Sequence, residues 1–226
     1  MGNKIINNTP MTTYFLSGLG ADQRIFSKLQ LPEHLNIVHI EWIQNLQNEN
    51  IESYAKRLSA KIDTTTPFQL VGLSFGGIVA TEISKIITPK QIIIISSLST
   101  SKQLPWYFNF SAQFLLNPLI PTSFLKSSNP MSHWLFGAKS NEEKTLFGQF
   151  LNDSDGDFLR WAIEKISTWE NKIKAKNLFH IHGSADKTFP IMFVQPDYII
   201  EGGEHLMVYD RHEEISKLLT EKLVTN

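Results

Sequence analysis

The stretch FQLVGLSFGGIVA, residues 68–80, places a serine between a strand-like run and a helix-like run, both apolar. Residues 68–73 predict a strand buried on both faces, and a helix is predicted to start at Phe75. The motif G-x-S-x-G spans the junction, with Gly72 and Gly76 on either side of Ser74. A strained turn of this type brings neighbouring backbones close to the serine, so it needs small residues at those two positions. The stretch therefore predicts that Ser74 is a nucleophile, and a glycine-rich turn without a chemical role is the alternative.

Apolar runs typical of buried strands alternate along the whole chain with segments that favour a helix. The strand-like runs are residues 12–17, 36–40, 68–73, 91–96, 178–182 and 198–200, and the helix-like segments are residues 22–29, 51–62, 75–87, 158–171 and 213–223. Such an alternation is typical of parallel α/β architecture. We predict an α/β fold with a mostly parallel, roughly six-stranded sheet and helices on both faces. Functional loops are expected at the carboxyl ends of the strands.

Residues 98–155 break this alternation. The segment contains no convincing strand, it is rich in aromatic residues, and prolines divide it into short helices or turns. It also belongs to a long stretch, from Ile83 through Asn141, that contains no aspartate or glutamate. We predict an inserted helical lid at 98–155, with residues 1–97 and 156–226 forming the core domain. Trp106, Phe110 and Trp134 are candidates for lining an apolar substrate pocket, and helices that merely cover the core are the alternative.

The chain resembles the α/β-hydrolase superfamily at the serine motif and at two later motifs. In that superfamily the acid and the histidine of the catalytic triad follow the serine in this order. Residues 182–186, HGSAD, resemble the superfamily's H-G-x-x-D segment, which implies that Asp186 is the acid; a turn or helix-cap aspartate is the alternative. Residues 202–206, GGEHL, follow the last predicted strand, which implies that His205 is the general base. By this resemblance His205 takes the proton of Ser74, and Asp186 orients the imidazole.

The resemblance also implies an oxyanion hole formed by two backbone N–H groups. Residues 16–20, LSGLG, follow the first predicted strand, where the superfamily commonly has a His-Gly motif whose next residue donates an amide. Leu19 is that residue here, and Phe75, which follows the nucleophile, supplies the second amide. Ser17 stands where histidine is usual, but the donor is a main-chain group and is retained. A simple turn before a helix is the alternative for these glycines.

The composition of the 226-residue chain favours a small-molecule substrate over a charged polymer. Its 21 Lys and Arg nearly balance its 22 Asp and Glu, so we expect neither a nucleic acid nor a membrane as partner. The chain has no cysteine, and its histidines and carboxylates lack metal-ligand spacing, so we expect no metal and no cofactor. The apolar stretch at residues 14–16 is too short for a signal segment, which favours a cytoplasmic protein. The sequence does not predict the oligomeric state.

Together these features predict a serine hydrolase that cleaves a small, apolar ester through an acyl-enzyme. An aromatic lid that has no acidic residue before Glu142 favours an apolar acyl or alcohol group. Because the fold does not fix the reaction, three alternatives remain open. They are a lyase that cleaves hydroxynitriles or carbon–carbon bonds, an acyltransferase, and a binding protein without catalytic activity.

Overall fold

A sheet of six strands, parallel at every neighbouring pair, forms the centre of this computed structural model, which describes residues 11–224. The strands are β1 (Thr12–Leu16), β2 (Asn36–Ile40), β3 (Phe68–Leu73), β4 (Ile92–Ile95), β5 (Leu178–Gly183) and β6 (Tyr198–Ile200). Their order across the sheet is β2-β1-β3-β4-β5-β6. The predicted six-stranded, mostly parallel sheet is therefore confirmed.

Each of the two faces of the sheet is covered by its own apolar cluster. In β4, Ile92 and Ile94 join one cluster, whereas Ile93 and Ile95 join the other, because successive side chains of a strand point to opposite faces. This two-sided burial is why the strands are continuous apolar runs rather than alternating ones. Helices contribute to both clusters, so the prediction of helices on both faces is confirmed as well.

The α-helices connect the strands and follow them in the chain. They are α1 (Ile51–Ser59), α2 (Phe75–Ile83), α3 (Trp106–Leu115), α4 (Thr122–Leu125), α5 (Pro130–Phe136), α6 (Asn141–Asp153), α7 (Gly156–Ser167), α8 (Met207–Asp210) and α9 (His212–Val224). The helix predicted at 22–29 is instead a short 3₁₀ turn at Gln23–Phe26, capped by the Asp22 side chain, which accepts from the Arg24 N–H. Helix α2 ends at Ile83, earlier than predicted, and Pro89 lies shortly beyond it.

The direction in which strands are added to the sheet changes at β1. The chain leaves β1 towards β2 on one side and later returns to place β3 on the other side of β1. The loops after β1 and β3 therefore diverge at the carboxyl edge of the sheet, which is where ligands bind in open α/β sheets. Ser74 follows β3, and residues 17–20 follow β1.

Helices α3 to α7 form the long connection between β4 and β5, and they differ in how deeply they pack. Helices α3, α4 and α5 together bury only Ala112. By contrast, Phe150 of α6 and Phe158 of α7 belong to the apolar clusters on the sheet. The division into a core and a lid at 98–155 stays a prediction, and its residues 1–10 and 225–226 lie outside the described part. Between residues 11 and 224, no helix has the length and apolar character needed to cross a bilayer.

Candidate active site

Ser74 occupies a strained backbone conformation between β3 and α2. Its φ of 50° and ψ of −119° lie in a region that non-glycine residues rarely adopt. Such strain costs roughly 1–3 kcal/mol and persists only where the surroundings impose it. A Cβ atom on Gly72 would lie 2.6 Å from the Gly77 Cα, and one on Gly76 would collide with the carbonyl of Leu16. The two glycines of the motif are thus required because β3, α2 and the end of β1 approach one another so closely.

The end of β4 holds the serine turn in place. The Ser74 N–H donates to the Ile95 carbonyl at 2.9 Å, and the Ser97 hydroxyl donates to the Ser74 carbonyl at 2.6 Å. Sequence reasoning missed Ser97. A small polar residue directly after an apolar strand at the same sheet edge was the available signal. These bonds fix the backbone on both sides of the Ser74 side chain.

The loop after β6 brings His205 to Ser74. The His205 Nε2 lies 2.9 Å from the Ser74 Oγ, and the imidazole is only 2% exposed. This loop is joined to the loop after β5, since the Ala185 N–H donates to the Gly203 carbonyl at 2.9 Å. The rings of Phe136 and Phe189 contact the imidazole edge to face, each with a centroid distance of 5.5 Å. The imidazole is therefore confined on the two sides that those rings occupy.

Asp186 completes a continuous chain of hydrogen bonds. Its Oδ2 lies 2.8 Å from the His205 Nδ1, and its Oδ1 accepts the N–H groups of Thr188 and Phe189 at 2.8 and 2.9 Å. Burial acts to raise the pKa of this carboxyl, but His205, His182 and the Phe189 amide together hold it below its usual value. Asp186 is thus a buried carboxylate whose two oxygens have different partners.

The loop after β1 lies beside the serine. A Cβ on Gly18 would be 3.5 Å from the Ser74 Cβ. The Ser17 hydroxyl donates to the Ala21 carbonyl at 2.7 Å, so the serine that replaces the usual histidine braces the loop. Trp42 adds a second brace, because its indole N–H donates to the Gly18 carbonyl at 3.3 Å. Within residues 11–224, no turn or loop hydrogen bond uses the amides of residues 19 and 75.

Solved structures with a similar fold include esterases and other hydrolases. A thermophilic esterase from Thermogutta terrifontis matches with a TM-score of 0.71 and 15% identity, over 95% of this chain and 90% of that chain. A hydrolase from Oleispira antarctica matches with a TM-score of 0.71 and 14% identity, over 96% and 92%. MenH from S. aureus matches with a TM-score of 0.69 and 16% identity, over 95% and 94%.

The chain has the α/β-hydrolase fold. No family model and no curated protein matches the sequence, so this assignment rests on the three-dimensional likeness. At such low identity the likeness establishes the fold alone.

In this α/β-hydrolase fold the segment between β4 and β5 is attached to the loops after β5 and β6 at one end. The Leu206 N–H donates to the Phe136 carbonyl at 3.2 Å, and the Thr188 hydroxyl donates to the Leu135 carbonyl at 3.1 Å. The C-terminal end of α5 therefore supports the loops that carry His205 and Asp186.

Glu204 strengthens the same attachment. Its carboxylate pairs with Lys139 of the insert at 3.0 Å and with Lys187 of the loop after β5 at 2.9 Å. Burial acts to raise the pKa of Glu204, but the two lysines hold it below its usual value. Sequence reasoning missed this role of Glu204. The pairing of residues so distant in the chain could not be predicted from a local motif.

The aromatic residues predicted to line a pocket lie on the surface of the insert. Trp106 and Phe110 are 79% and 78% exposed. The Lys187 ammonium lies over the Trp134 ring, 5.6 Å from the ring centroid. A cavity of about 590 Å³ lies instead on the β2 side of the loop after β1, with Trp42 and Phe158 in its wall. The assignment of the three residues to a substrate pocket stays a prediction.

Among the described residues, no group of three or more His, Asp or Glu side chains is arranged to hold a metal ion.

Proposed function

We propose that the protein is a serine hydrolase that cleaves small, apolar esters, with Ser74 as nucleophile, His205 as base and Asp186 as orienting acid. One observation carries the proposal: an unbroken chain of short hydrogen bonds runs from the Ser74 Oγ through His205 to Asp186. The esterases and hydrolases among the structures of similar fold agree with this assignment at the level of the fold.

The partners of Asp186 determine the tautomer of the imidazole. Because its Oδ1 is occupied by two backbone N–H groups, its Oδ2 is left to accept the Nδ1–H of His205. The Nε2 of a neutral His205 then carries a lone pair that accepts the Ser74 hydroxyl proton. The geometry thus supports proton abstraction from Ser74 without any rearrangement.

The reaction then follows in two half-reactions. Ser74 Oγ attacks the ester carbonyl while its proton moves to the His205 Nε2, and a tetrahedral oxyanion forms. The imidazolium returns this proton to the leaving alcohol, and an acyl-enzyme remains. Water attacks the acyl carbon with His205 as base, which releases the carboxylic acid and regenerates the serine.

The oxyanion is stabilised by the backbone N–H groups of Leu19 and Phe75. Helix α2 begins at Phe75, so its N-terminal amides point towards the developing charge. The close contact of Gly76 with the carbonyl of Ser17 brings the loop after β1 next to this helix end. Each donor in such a site is typically worth about 10²–10³ in turnover.

The inserted segment sets the substrate preference in this proposal. Its residues 98–141 contain no acidic side chain and many aromatic ones, which favours an apolar acyl or alcohol group. We propose that the exposed side chains of Trp106 and Phe110 on α3 contact the substrate as the substrate approaches Ser74. The substrate is a small molecule, and the chemistry needs no cofactor.

The test is ester hydrolysis by the wild-type protein, Ser74→Ala and the matched control Ser84→Ala. Ser84 follows α2 at the opposite end of that helix from Ser74, so its replacement changes the same chemical group far from the site. We expect wild-type and Ser84→Ala proteins to hydrolyse p-nitrophenyl butyrate alike, and Ser74→Ala to lose at least about 10⁴-fold in kcat. A pure Ser74→Ala protein that keeps its activity would contradict the assignment.

Product analysis separates hydrolysis from acyl transfer. In water with added alcohol, a hydrolase releases mainly the free acid, whereas a transferase forms mainly the new ester. We expect free acid as the main product.

A further inference from the structure

Two histidines that take no direct part in the proposed reaction are fully buried behind the triad acid. His180 and His182 alternate along β5, so they share one face of the sheet, and both are 0% exposed. Buried ionisable side chains are uncommon unless they have partners. This pair therefore calls for a physical reason.

Hydrogen bonding determines which nitrogens of the pair carry protons. The His182 Nε2 lies 2.7 Å from the Phe189 carbonyl, which can only accept, so this nitrogen must be the N–H donor. A neutral His182 then has a lone pair on Nδ1, which lies 3.1 Å from the His180 Nε2. His180 must therefore carry its proton on Nε2. The two rings form a directional chain that starts at His180 and ends at the Phe189 carbonyl.

The surroundings keep both rings neutral. Burial is the main cause that lowers the pKa of His180 and of His182 below the usual histidine value. The charged or titratable groups that act on the pair are Lys174 for His180, and Asp186 and His205 for His182. Asp186 and the hydrogen bond to the Phe189 carbonyl both act to raise the pKa of His182, but a second proton, on its Nδ1, would point at the Nε2–H of His180. The pair thus opposes its own protonation.

The chain of hydrogen bonds reaches the triad through one residue. The Phe189 N–H donates to the Asp186 Oδ1 at 2.9 Å, while the Phe189 carbonyl accepts from His182. The Phe189 ring also contacts the His205 ring edge to face. In addition, the His182 Nε2 lies 3.5 Å from the Asp186 Oδ2. Moving the Phe189 peptide would therefore disturb both the acid and the base.

We propose that His182 is a positioning residue for the triad acid, with its Nε2–H bound to the Phe189 carbonyl and its Nδ1 accepting from the Nε2–H of His180. His182 fixes the Phe189 carbonyl, and with it the turn whose amides orient the Asp186 carboxylate towards His205. This inference rests on the proposed function, because the group that is positioned is the acid of the proposed triad.

The first test compares two replacements of His182 that differ in one property. His182→Leu removes the donor and keeps an apolar side chain, whereas His182→Gln places a neutral N–H donor near the position of Nε2. We expect kcat to fall about 10²-fold in the leucine variant with KM unchanged, as for a small misplacement of a catalytic group. The glutamine variant should recover most of that loss.

The thermal stability of the two variants serves as the control for packing. If both variants lost the same activity in proportion to their loss of Tm, the role would be structural and the proposal would be overturned. Full activity in His182→Leu would overturn it too.

The second test does not depend on activity. Nitrogen-15 NMR of histidine-labelled protein distinguishes a protonated ring nitrogen from a bare one, and His182→Gln assigns the signal by removing it. We expect wild-type His182 to show a protonated Nε2 and a bare Nδ1 from pH 6 to 8. His180→Leu should leave the proton of His182 on Nε2, because the Phe189 carbonyl still requires that donor.

These readouts separate the two proposals. A wild-type protein without esterase activity but with the expected His182 tautomer would contradict the proposed function and leave the hydrogen-bond chain intact. A second proton on His182 at pH 7, or a proton on its Nδ1 alone, would overturn the positioning proposal even if the enzyme is active.

Discussion

Replacement of Asp186 by asparagine tests the triad through the tautomer of His205. The Oδ1 of Asp186 accepts two backbone N–H groups, at 2.8 and 2.9 Å, so an asparagine must keep its carbonyl oxygen there. Its NH₂ group then faces the His205 Nδ1 across the 2.8 Å contact and can only donate. The imidazole must accept on Nδ1 and carry its proton on Nε2, which can no longer take the proton of Ser74. The variant therefore has the wrong tautomer with little change in shape.

The expected loss in kcat is about 10⁴-fold, as for the same change in other serine triads, which corresponds to about 5.4 kcal/mol of activation free energy. The assay is steady-state hydrolysis of an activated ester, with the Tm recorded in parallel. The matched control is Glu201→Gln, which neutralises an exposed carboxylate that accepts only from the half-buried Ser184 hydroxyl in the described contacts. A loss of only a few-fold in Asp186→Asn would refute the assignment of the acid.

Three further predictions concern the serine turn, the buried histidines and the substrate. Gly76→Ala should abolish activity and lower Tm, because its Cβ would collide with backbone carbonyls, whereas Gly148→Ala in α6 should remain active in the same ester assay. His180 and His182 stay neutral in the folded protein below the usual histidine pKa of 6.5. The unfolded chain therefore binds more protons at these two histidines than the folded protein does below pH 6.5. Urea denaturation between pH 6.5 and 5 should show that the free energy of unfolding falls with pH, by up to about 1.4 kcal/mol per pH unit for each histidine. A free energy of unfolding that does not change with pH would contradict their burial. In a series of p-nitrophenyl esters, kcat/KM should rise up to about 15-fold for two added methylenes, at about 0.8 kcal/mol each. Equal rates would show that the aromatic insert does not contact the substrate.

The sheet and the serine turn could be predicted from the sequence because their signals are local. Strands buried on both faces must be continuous apolar runs, and the strained turn admits only small residues at 72 and 76. The order of the motifs also points to Asp186 and His205. In the structure Asp186 lies within hydrogen-bonding distance of His205, and His205 within hydrogen-bonding distance of Ser74.

The parts that were missed depend on contacts between distant segments. Ser97 reaches the Ser74 carbonyl only because β4 lies next to β3. Glu204 pairs with Lys139 of the insert, and no local motif predicts a contact between residues so far apart in the chain. The helix predicted at 22–29 is shorter because the Asp22 side chain caps a 3₁₀ turn and pairs with Arg24 instead of starting a full helix.

Labelling with a fluorophosphonate tests the central claim most directly, because the reaction requires a serine hydroxyl that is activated by a neighbouring base. The protein is treated with the probe at pH 7.5, digested and examined by mass spectrometry. The account predicts one phosphonylated residue, Ser74, no adduct in Ser74→Ala, and much slower labelling in Asp186→Asn. An unlabelled wild-type protein, or an adduct on a different serine, would contradict it.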